Sequence, residues 1–512
     1  MTHPAPPTFT PADAQAPLAL VIGSGFGGLA AAIRLAVRGW RVQVLEKLDG
    51  PGGRAYVWKQ DGFSFDAGPT IITAPFLLDE LWATAGRTFS DDVELKLMEP
   101  FYRIRFDDGT WFDYTGDPDR MRAEVARFAP EDLPGYERFL VEAHKCYQLG
   151  FIELGGIAYN SISDLLWALP NMVRMRGWKS IWKLACEHMR NPKLRVVFSF
   201  HPLLIGGNPL AVTGIYSLIN SLERQFGVHW AMGGTGAIIR AMVKLLESLG
   251  GQIRYNAEVR KIDVQPGPGR PAATGVTLAS GERIPAAIVV SNADTMWTYR
   301  HLIDAQYRRR WTDAKIERSK HSMSLFVWYF GTNRRWDEVP HHMMVLGPRY
   351  EELLRDIFKR HVVPEDFSLY LHRPSASDPS VAPPGCDAFY VLSPVSHLDS
   401  GTDWPQVAES YRQRVEQVLE RALLPGLSQH IVSSRVTTPQ DFQDRLLSYK
   451  GAAFGQEPIL LQSAWFRPHN RSEDIDRLFI VGAGTHPGAG VPGVLMSAKM
   501  LEQVLPDAKA FA

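Results

Sequence analysis

A strand that runs into a glycine-rich turn and then a helix is the feature that most constrains the fold. Leu18–Ile22 is an unbroken apolar run, typical of a parallel strand that is buried on both faces. The turn GSGFGG follows it, and residues 29–38 then carry apolar side chains at helical spacing. Arg41–Leu45 alternates as a second strand and leads directly into Glu46. These elements predict a βαβ unit within about thirty residues.

The glycines of this turn have the spacing G-x-G-x-x-G. Gly23 would make the tight turn, Gly25 would let the backbone approach a pyrophosphate, and Gly28 would let the helix pack on the strand. The helix N-terminus would offer amide donors and a partial positive charge to the phosphates. Glu46 is placed to accept a hydrogen bond from a ribose hydroxyl. The motif predicts a bound dinucleotide, and a glycine turn in an unrelated βα unit is the alternative.

Two further glycine-containing segments favour FAD over NAD. In GPGGR, Gly53 would allow close backbone approach, and Arg54 would place a fixed charge on the pyrophosphate or near the flavin. A surface salt bridge is the alternative for Arg54. In DAGPT, Gly68 and Thr70 belong to a second close-approach turn. Both segments therefore predict contacts with a large cofactor.

A glycine-rich block, residues 482–493, precedes the last predicted helix. Its glycines indicate backbone packed against a flat cofactor. If the N-terminus of that helix points at the flavin pyrimidine, its amides would stabilise the anionic reduced ring. We predict further cofactor contacts here and at one earlier strand, from Val259, Gly484, Val491 and Val494.

Composition and charge exclude several classes of protein. The chain has 512 residues, 55 basic and 55 acidic side chains, and no net charge, which argues against nucleic acid as a partner. Its three cysteines are widely spaced, so we predict neither a disulfide framework nor a metal site, and a reducing compartment. The Pro- and Ala-rich N-terminus lacks the basic residues of a secretory signal. No apolar run reaches the ~18–20 residues that span a bilayer.

We predict an α/β fold in which a Rossmann-like FAD-binding domain is built from both chain ends. A substrate domain with a mixed sheet and a helical, membrane-associating region are inserted between them. We expect helices in residues 118–175 and 214–249, and strands at 253–264, 273–278, 286–290, 324–330, 388–393 and 478–481. The predicted segments are 1–17 (flexible leader), 18–115 (FAD-binding), 116–224 (helical), 225–296 (FAD-binding), 297–464 (substrate domain) and 465–512 (FAD-binding).

Several segments resemble known families. GSGFGG and GPGGR are similar to those of the FAD-dependent amine oxidase and carotenoid desaturase superfamily. The block GAGTHPGAGVPGVLMS at 482–497 more narrowly resembles the bacterial and fungal phytoene desaturases. So do SFHPLLIGGNP at 199–209 and GGTG at 233–236. The resemblance extends from about residue 18 to residue 505, which is nearly the whole chain.

The resemblance implies an enzyme that uses FAD to desaturate phytoene, a long polyene, by stepwise dehydrogenation. Neurosporene would form after three steps and lycopene after four. The implied partners are phytoene, partly desaturated carotenoids and the membrane surface, with oxygen or a quinone as electron acceptor. The implied location is peripheral, on the cytoplasmic side of a membrane. A desaturase of hydroxylated or methoxylated carotenoids, a carotenoid isomerase, an amine oxidase and a non-catalytic prenyl-lipid escort protein are the alternatives.

Desaturation also requires a proton acceptor. Asp164 is our candidate, since it is a carboxylate in an apolar stretch and matches an aspartate expected in the family's helical region. Burial would raise its pKa into a range suited to acid–base chemistry. A helix N-cap formed by Ser161 or Asp164 is the alternative. For His201 and Glu223, a core histidine with satisfied hydrogen bonds and a solvated face are the favoured interpretations.

Two aromatic segments have two interpretations each. Residues 167–183 interleave Trp and Met with Arg and Lys, the composition of an interfacial helix at a membrane. An amphipathic helix packed on the core is equally compatible. The aromatic strand at 325–330 would form core or line a substrate tunnel, and core is favoured.

Overall fold

The computed structural model describes residues 15–267 and 269–511, so most of the predicted leader lies outside the described residues. The strands are β1 (Leu18–Ile22), β2 (Arg41–Leu45), β3 (Val57–Gln60), β4 (Phe63–Asp66), β5 (Leu95–Leu97), β6 (Tyr102–Arg105), β7 (Trp111–Tyr114), β8 (His229–Ala231), β9 (Gln252–Arg254), β10 (Val259–Gln265), β11 (Ala272–Leu278), β12 (Arg283–Pro285), β13 (Ile288–Ser291), β14 (Ser324–Thr332), β15 (His342–Val345), β16 (Leu369–His372), β17 (Asp387–Val395), β18 (Ile431–Thr437) and β19 (Leu478–Ile480). The α-helices are α1 (Phe26–Val37), α2 (Phe76–Thr84), α3 (Pro118–Phe128), α4 (Leu133–Cys146), α5 (Ile162–Arg174), α6 (Ile181–His188), α7 (Pro192–Val197), α8 (Leu218–Phe226), α9 (Thr235–Ser248), α10 (Thr295–Trp297), α11 (Asp313–Arg318), α12 (Tyr350–Arg355), α13 (Trp404–Ala422), α14 (Pro439–Leu446) and α15 (Val491–Leu501).

A five-stranded parallel sheet in the order β19-β13-β1-β2-β9 forms the first layer. Its strands come from the beginning, the middle and the end of the chain, which confirms the prediction that both chain ends build one sheet. On β1, Ala19 and Val21 pack with helices α1, α9 and α15, whereas Leu20 and Ile22 pack with the opposite layer. Both faces are buried, and this explains why the strand is apolar at successive positions.

A seven-stranded mixed sheet in the order β18-β14-β17-β16-β15-β6-β7 forms the second unit. All its pairs are antiparallel except β15 with β6. On β14, Trp328 faces the core beneath helix α13, while Val327 and Tyr329 face the other side. The core interpretation of the aromatic strand is therefore confirmed, and the tunnel-lining interpretation stays a prediction for the face of Val327 and Tyr329. Strands β6 and β7, which we assigned to the FAD-binding segment 18–115, belong to this sheet.

Two secondary-structure predictions are wrong in detail. The strand predicted at 253–264 is two strands, β9 and β10, in two different sheets. Asn256 lies between them with a φ of 52°, a left-handed conformation that ends the extended backbone. The stretch 214–249 was expected to be helical throughout, but it contains β8, which pairs with β5. The sequence HWA of β8 is too short to show a periodic pattern.

The helical insert begins at α3 and covers one side of the second sheet. Within it, the stretch 167–183 is not one helix. Helix α5 ends at Arg174, Arg176 has a φ of 51°, and α6 begins at Ile181 after the Ser180 N-cap. In residues 15–267 and 269–511, no helix combines the length and the apolarity needed to cross a membrane.

A buried ion pair at the start of β17 anchors the second sheet. The Asp387 carboxylate accepts hydrogen bonds from Arg373 Nε at 2.9 Å and from the Trp336 amide at 2.8 Å. Both charged side chains are about 2% exposed or less. Asp337, by contrast, accepts a bond from Arg373 at 2.8 Å but is 74% exposed. Asp387, the buried partner, therefore provides most of the electrostatic stabilisation of the Arg373 charge.

We predict that Asp387→Ala lowers the free energy of unfolding by about 3–5 kcal/mol, because it leaves the buried Arg373 without its main counter-ion. Asp337→Ala is the matched control and should cost less than about 1 kcal/mol, since that carboxylate is solvated. Urea unfolding followed by circular dichroism measures both. Equal losses in the two variants would contradict the prediction.

Candidate functional site

A cavity of about 600 Å³ lies between the two sheets and the helical insert. It extends from the glycine turn after β1 to the inner face of the seven-stranded sheet. Eleven of the twelve predicted cofactor residues line it: Gly23, Gly25, Glu46, Gly53, Arg54, Gly68, Thr70, Val259, Gly484, Val491 and Val494. Residues that are up to 471 positions apart in sequence are thereby brought to one site.

Gly28, the twelfth, lies behind the cavity wall. A Cβ atom at this position would overlap the carbonyl oxygen of Gly23, so only glycine allows α1 to approach β1 this closely. Gly23 itself has a φ of 90°, which an L-residue with a side chain rarely adopts. The turn therefore has the geometry that a backbone cradle for a pyrophosphate requires.

Asn292 is a site residue to which our sequence analysis gave no role. Its amide donates to the Ile22 carbonyl at 2.9 Å, and its side chain fills the space beside the glycine turn. A Cβ atom would come within 2.6 Å of Asn292 Oδ1 at Gly27 and within 2.7 Å at Gly482. Asn292 thus holds the first and last glycine segments together. Its position directly after an apolar strand was the available signal.

Glu46 is 5% exposed and lines the cavity. Its Oε2 accepts from the Ser24 amide at 2.8 Å and from the Ser24 hydroxyl at 2.6 Å, and its Oε1 accepts from the Leu48 amide at 2.9 Å. A carboxylate has about four acceptor positions, so one remains for a ligand. The geometry fits a carboxylate that is held rigidly to receive a ribose hydroxyl.

Arg54 extends along the cavity wall. Its Nη2 donates to Ser448 Oγ at 2.9 Å and lies 3.9 Å from Asp294 Oδ2. Its buried Nε has no hydrogen-bond partner among the described residues. Burial lowers the pKa of Arg54 and raises the pKa of Asp294, and each charge opposes the shift of the other. An unpartnered guanidinium donor on a cavity wall fits an anionic group such as a pyrophosphate.

The turn at Gly68 and Thr70 meets the second sheet. A Cβ atom at Gly68 would overlap the Arg54 carbonyl. The Thr70 hydroxyl lies 3.0 Å from Tyr370 OH and 3.1 Å from Tyr390 OH, and all three side chains line the cavity. Tyr390 is buried and Tyr370 is half-buried, and desolvation raises the pKa of each phenol, so they stay protonated donors.

The C-terminal glycine block closes the opposite wall. A Cβ atom at Gly484 would overlap the Thr295 hydroxyl, and that hydroxyl has no partner among the described residues. Gly490, with a φ of 95°, is the N-cap of α15, and Val491 and Val494 of that helix face the cavity. The amide-bearing end of α15 therefore lies at the cavity, and its orientation toward a flavin pyrimidine stays a prediction.

His486, in the same block, is a further cavity residue. Its Nε2 donates to the Leu154 carbonyl at 3.1 Å, which leaves the buried Nδ1 as a free acceptor. Burial lowers the pKa of His486 to about 4, so the ring is neutral at physiological pH. Tyr159 packs edge-on against it with ring centroids 4.8 Å apart.

Asp164 is not among the cavity-lining residues. It forms a capping box at the start of α5, in which its Oδ2 accepts from the Ser161 amide at 2.9 Å. The side chain is half-buried. The geometry is that of the capping alternative, and it gives no support to Asp164 as a proton acceptor.

For Glu223, the structure contradicts our interpretation. We expected a solvated face, but Glu223 and His201 are both completely buried, and Glu223 lines the cavity. Tyr102 OH donates to Glu223 Oε1 at 2.7 Å, and His201 Nε2 lies 3.1 Å from Oε2. Helix α8 is enclosed by the insert and by strand β6, and its own sequence does not indicate this enclosure.

Three buried histidines, His341, His342 and His372, converge near the same wall, with ligand atoms within 4.8 Å of one another. Their number would suffice for a divalent metal ion. However, burial, the neighbouring His342 and His372 rings and the Lys96 and Arg373 charges lower the pKa of His341, and these positive charges disfavour a further cation. The Nε2 atoms of His341 and His372 are 3.0 Å apart and share a hydrogen. We therefore assign the cluster to the hydrogen-bond network.

We predict that Arg54→Ala weakens flavin retention, because the variant loses the only charged donor that the GPGGR turn contributes. The purified variant should bind FAD at least about tenfold more weakly, as expected for the loss of a charge-assisted hydrogen bond. Flavin absorbance per protein measures this. Arg54→Lys should restore part of the binding. Full yellow colour in Arg54→Ala would remove Arg54 from the cofactor site.

Comparison with known proteins identifies the family. The profile of the family described as flavin containing amine oxidoreductase matches residues 26–500. A phytoene desaturase (neurosporene-forming) of Cereibacter sphaeroides is 51% identical over 98% of this chain and 97% of its own. A phytoene desaturase (lycopene-forming) of Pantoea ananas is 44% identical over 95% of this chain and 99% of its own.

Two solved structures show the fold alone. An oxidoreductase from Methanosarcina mazei superimposes with a TM-score of 0.64 at 16% identity, covering 95% of this chain and 100% of its own. The cyclohexylamine oxidase of Brevibacterium oxydans gives 0.60 at 16% identity, covering 97% and 98%. The match to the flavin family and to the phytoene desaturases confirms FAD as cofactor, and the glycine cradle, Glu46 and Arg54 are the groups that fit it. The chain belongs to the flavin-containing amine oxidoreductase family and, within it, to the phytoene desaturases.

Proposed function

We propose that this protein is a phytoene desaturase, which dehydrogenates phytoene stepwise to neurosporene, lycopene or both. The observation that carries the proposal is the near full-length identity, 51% and 44%, to relatives named for these two products. Amine oxidases share the fold, but the desaturase relatives are much more similar to this chain in sequence than the amine oxidase is. Desaturase relatives share about half of their residues with this chain, whereas the cyclohexylamine oxidase shares 16%.

The cavity wall supports a long apolar substrate. Beyond the cofactor residues, the wall consists mainly of aliphatic, Met and aromatic side chains from the helical insert and from the inner face of the second sheet. They include Leu203, Leu204, Ile215, Leu218, Ile219, Leu222, Leu325, Val327, Met344, Leu346, Leu369 and Leu392. Burying a polyene against such a wall is favourable in proportion to the apolar area removed from water.

Residues at different places along the cavity would bind different parts of the cofactor and the substrate. The glycine cradle and Arg54 would hold the pyrophosphate, Glu46 would hold the ribose, and α15 would orient the flavin with its N-terminal amides. When bound, the flavin supplies the acceptor for a hydride taken from the substrate. The aliphatic wall excludes water and aligns the chain of the polyene, so that a C–H bond is presented in a reactive orientation. Oxygen or a quinone would then reoxidise the cofactor.

We further propose that the protein lies peripherally on the cytoplasmic side of a membrane, through helix α5 and the turn after it. Six large apolar side chains there are exposed to solvent: Ile162, Leu166, Trp167, Leu169, Val173 and Trp178. Exposed apolar side chains concentrated at one place indicate an interaction site, and Trp with basic residues suits a headgroup layer. Met172 and Met175 beside them line the cavity, so a route for substrate from lipid is short.

We predict that cells accumulating phytoene, when given this gene alone, form neurosporene or lycopene, each desaturation lowering the product mass by two hydrogens. Pigment extraction with mass analysis gives both the activity and the number of steps. Gly25→Val should leave phytoene unchanged, because its side chain would occupy the cofactor cradle. Unchanged phytoene with the flavin-loaded protein present would reject the proposal in favour of a later carotenoid or an amine.

The membrane proposal predicts that the protein floats with anionic phospholipid vesicles. Replacing Ile162, Leu166 and Val173 together by Ser should weaken binding more than about tenfold, since each aliphatic side chain contributes on the order of 1 kcal/mol when partly buried. Leu97→Ser with Val432→Ser, which changes exposed apolar residues elsewhere, is the control and should float like the original protein. Equal flotation of both variants would place the contact on another surface.

A further inference from the structure

One carboxylate on the apolar part of the cavity wall has no role in holding the cofactor. Glu223 is completely buried on α8, directly after Leu222, and both side chains line the cavity. No cationic side chain of Lys or Arg among the described residues forms an ion pair with it; its polar partners are Tyr102 and His201. A carboxyl group among hydrocarbon walls is costly to bury, so its retention there indicates chemistry at that position.

We propose that Glu223 is the proton acceptor of the desaturation reaction. The inference rests on the proposed function and deepens it. Each desaturation removes two hydrogens from adjacent carbons, one as a hydride to the oxidised flavin and the other as a proton to the Glu223 carboxylate. The electron pair of the second C–H bond becomes the π bond of the new double bond. The substrate is oxidised by two electrons, and Glu223 ends as the neutral acid.

The hydrogen bonds of Glu223 suit this role. Tyr102 OH occupies one position on Oε1 at 2.7 Å, and His201 Nε2 lies 3.1 Å from Oε2. These two bonds fix the plane of the carboxylate and use only two of its about four acceptor positions. Tyr102 and His201 are therefore positioning residues, which orient the acceptor without receiving the substrate proton themselves.

Glu223 also lies near the turn that we assign to the flavin. The Tyr102 ring is 6.0 Å from the His342 ring, and His342 Nδ1 is 2.6 Å from Tyr370 OH. Tyr370 OH in turn is 3.0 Å from the hydroxyl of Thr70. A series of side-chain contacts thus links Glu223 to Thr70, and these two residues line the same cavity. The hydride acceptor and the proton acceptor must both reach neighbouring carbons of one substrate, and sites on one cavity allow this.

The other acidic side chains on the cavity wall have different tasks. Glu46 accepts three hydrogen bonds beside the glycine turn, and Asp294 caps α10 and faces Arg54. Asp441 belongs to a capping box with Thr438, and Glu258 lies 3.6 Å from Arg260 at the cofactor end. Glu46, Asp294 and Asp441 thus accept hydrogen bonds from backbone amides, and Glu258 faces an arginine. Among the described residues, Glu223 has neither kind of partner.

His486 Nδ1 is the rival proton acceptor, because it is unpartnered and its ring lines the cavity. Protonation of the neutral imidazole would create a positive charge in a buried site, and burial has already lowered the pKa of His486 to about 4. Protonation of the Glu223 carboxylate instead removes a buried negative charge. Burial therefore disfavours His486 as the acceptor.

The test measures flavin reduction directly, in one anaerobic turnover of the flavin-loaded enzyme with phytoene in detergent or vesicles. Glu223→Gln keeps the size of the side chain and an oxygen that accepts from Tyr102. We expect unchanged flavin content and a reduction rate at least about 100-fold lower, the usual effect of removing a general base. Glu457→Gln, a buried glutamate outside the cavity lining, is the matched control and should be reduced at the original rate.

Further variants separate this role from a structural one. Glu223→Asp restores a carboxylate and should regain part of the rate lost in Glu223→Gln. Tyr102→Phe removes a hydrogen bond to the charged form, so the acid limb of the pH–rate profile should move to higher pH. A Glu223→Gln enzyme within threefold of the original rate, or a 100-fold loss in His486→Gln alone, would overturn the proposal. If the unmodified enzyme itself is not reduced by phytoene, the proposed function fails instead.

Discussion

The contact between Asn292 and two glycine segments is the constraint on which the rest of the structure depends. Its side chain lies against Gly27 and Gly482, in a space that any Cβ atom at those positions would occupy. Three strands that are far apart in sequence, β1, β13 and β19, can therefore lie side by side with their C-terminal turns in contact. The backbone amides of these turns are left facing one cavity, where a dinucleotide can approach them.

The second sheet lies on the other side of the cavity from these turns. Strand β14 presents Leu325, Val327 and Tyr329 to the cavity and buries its other face beneath α13. Because successive side chains of a strand point to opposite sides, one aromatic strand serves both as core and as substrate wall. The hydroxyl groups of Tyr370 and Tyr390 then meet Thr70 from the first domain, so the cofactor end and the substrate end share one polar boundary.

The same fold accommodates amine oxidation and, in the relatives of this chain, phytoene desaturation, so the fold does not determine the chemistry. The differences in chemistry lie in the side chains that line the cavity. Here the insert contributes an aliphatic lining, an exposed apolar helix, and the buried Glu223 with His201, while Tyr102 comes from β6. A polyene offers no charged group to recognise, so alignment must come from shape and from the exclusion of water. A single carboxylate in such a wall acts with little competition from solvent.

By itself, the sequence determined the βαβ unit, the glycine turns, Glu46 and the burial of β1, because these depend on local periodicity and on steric rules within a few residues. Most of the predicted cofactor positions that line the cavity lie in these glycine segments. The capping box of Asp164 is also local, since its partner Ser161 is three residues away. The break at Asn256, the pairing of β6 with β15, the place of Asn292 beside two glycine segments and the burial of Glu223 were decided only by tertiary structure. Whether a polar side chain faces water or lines a cavity depends on residues brought near it from elsewhere, and no local pattern contains them.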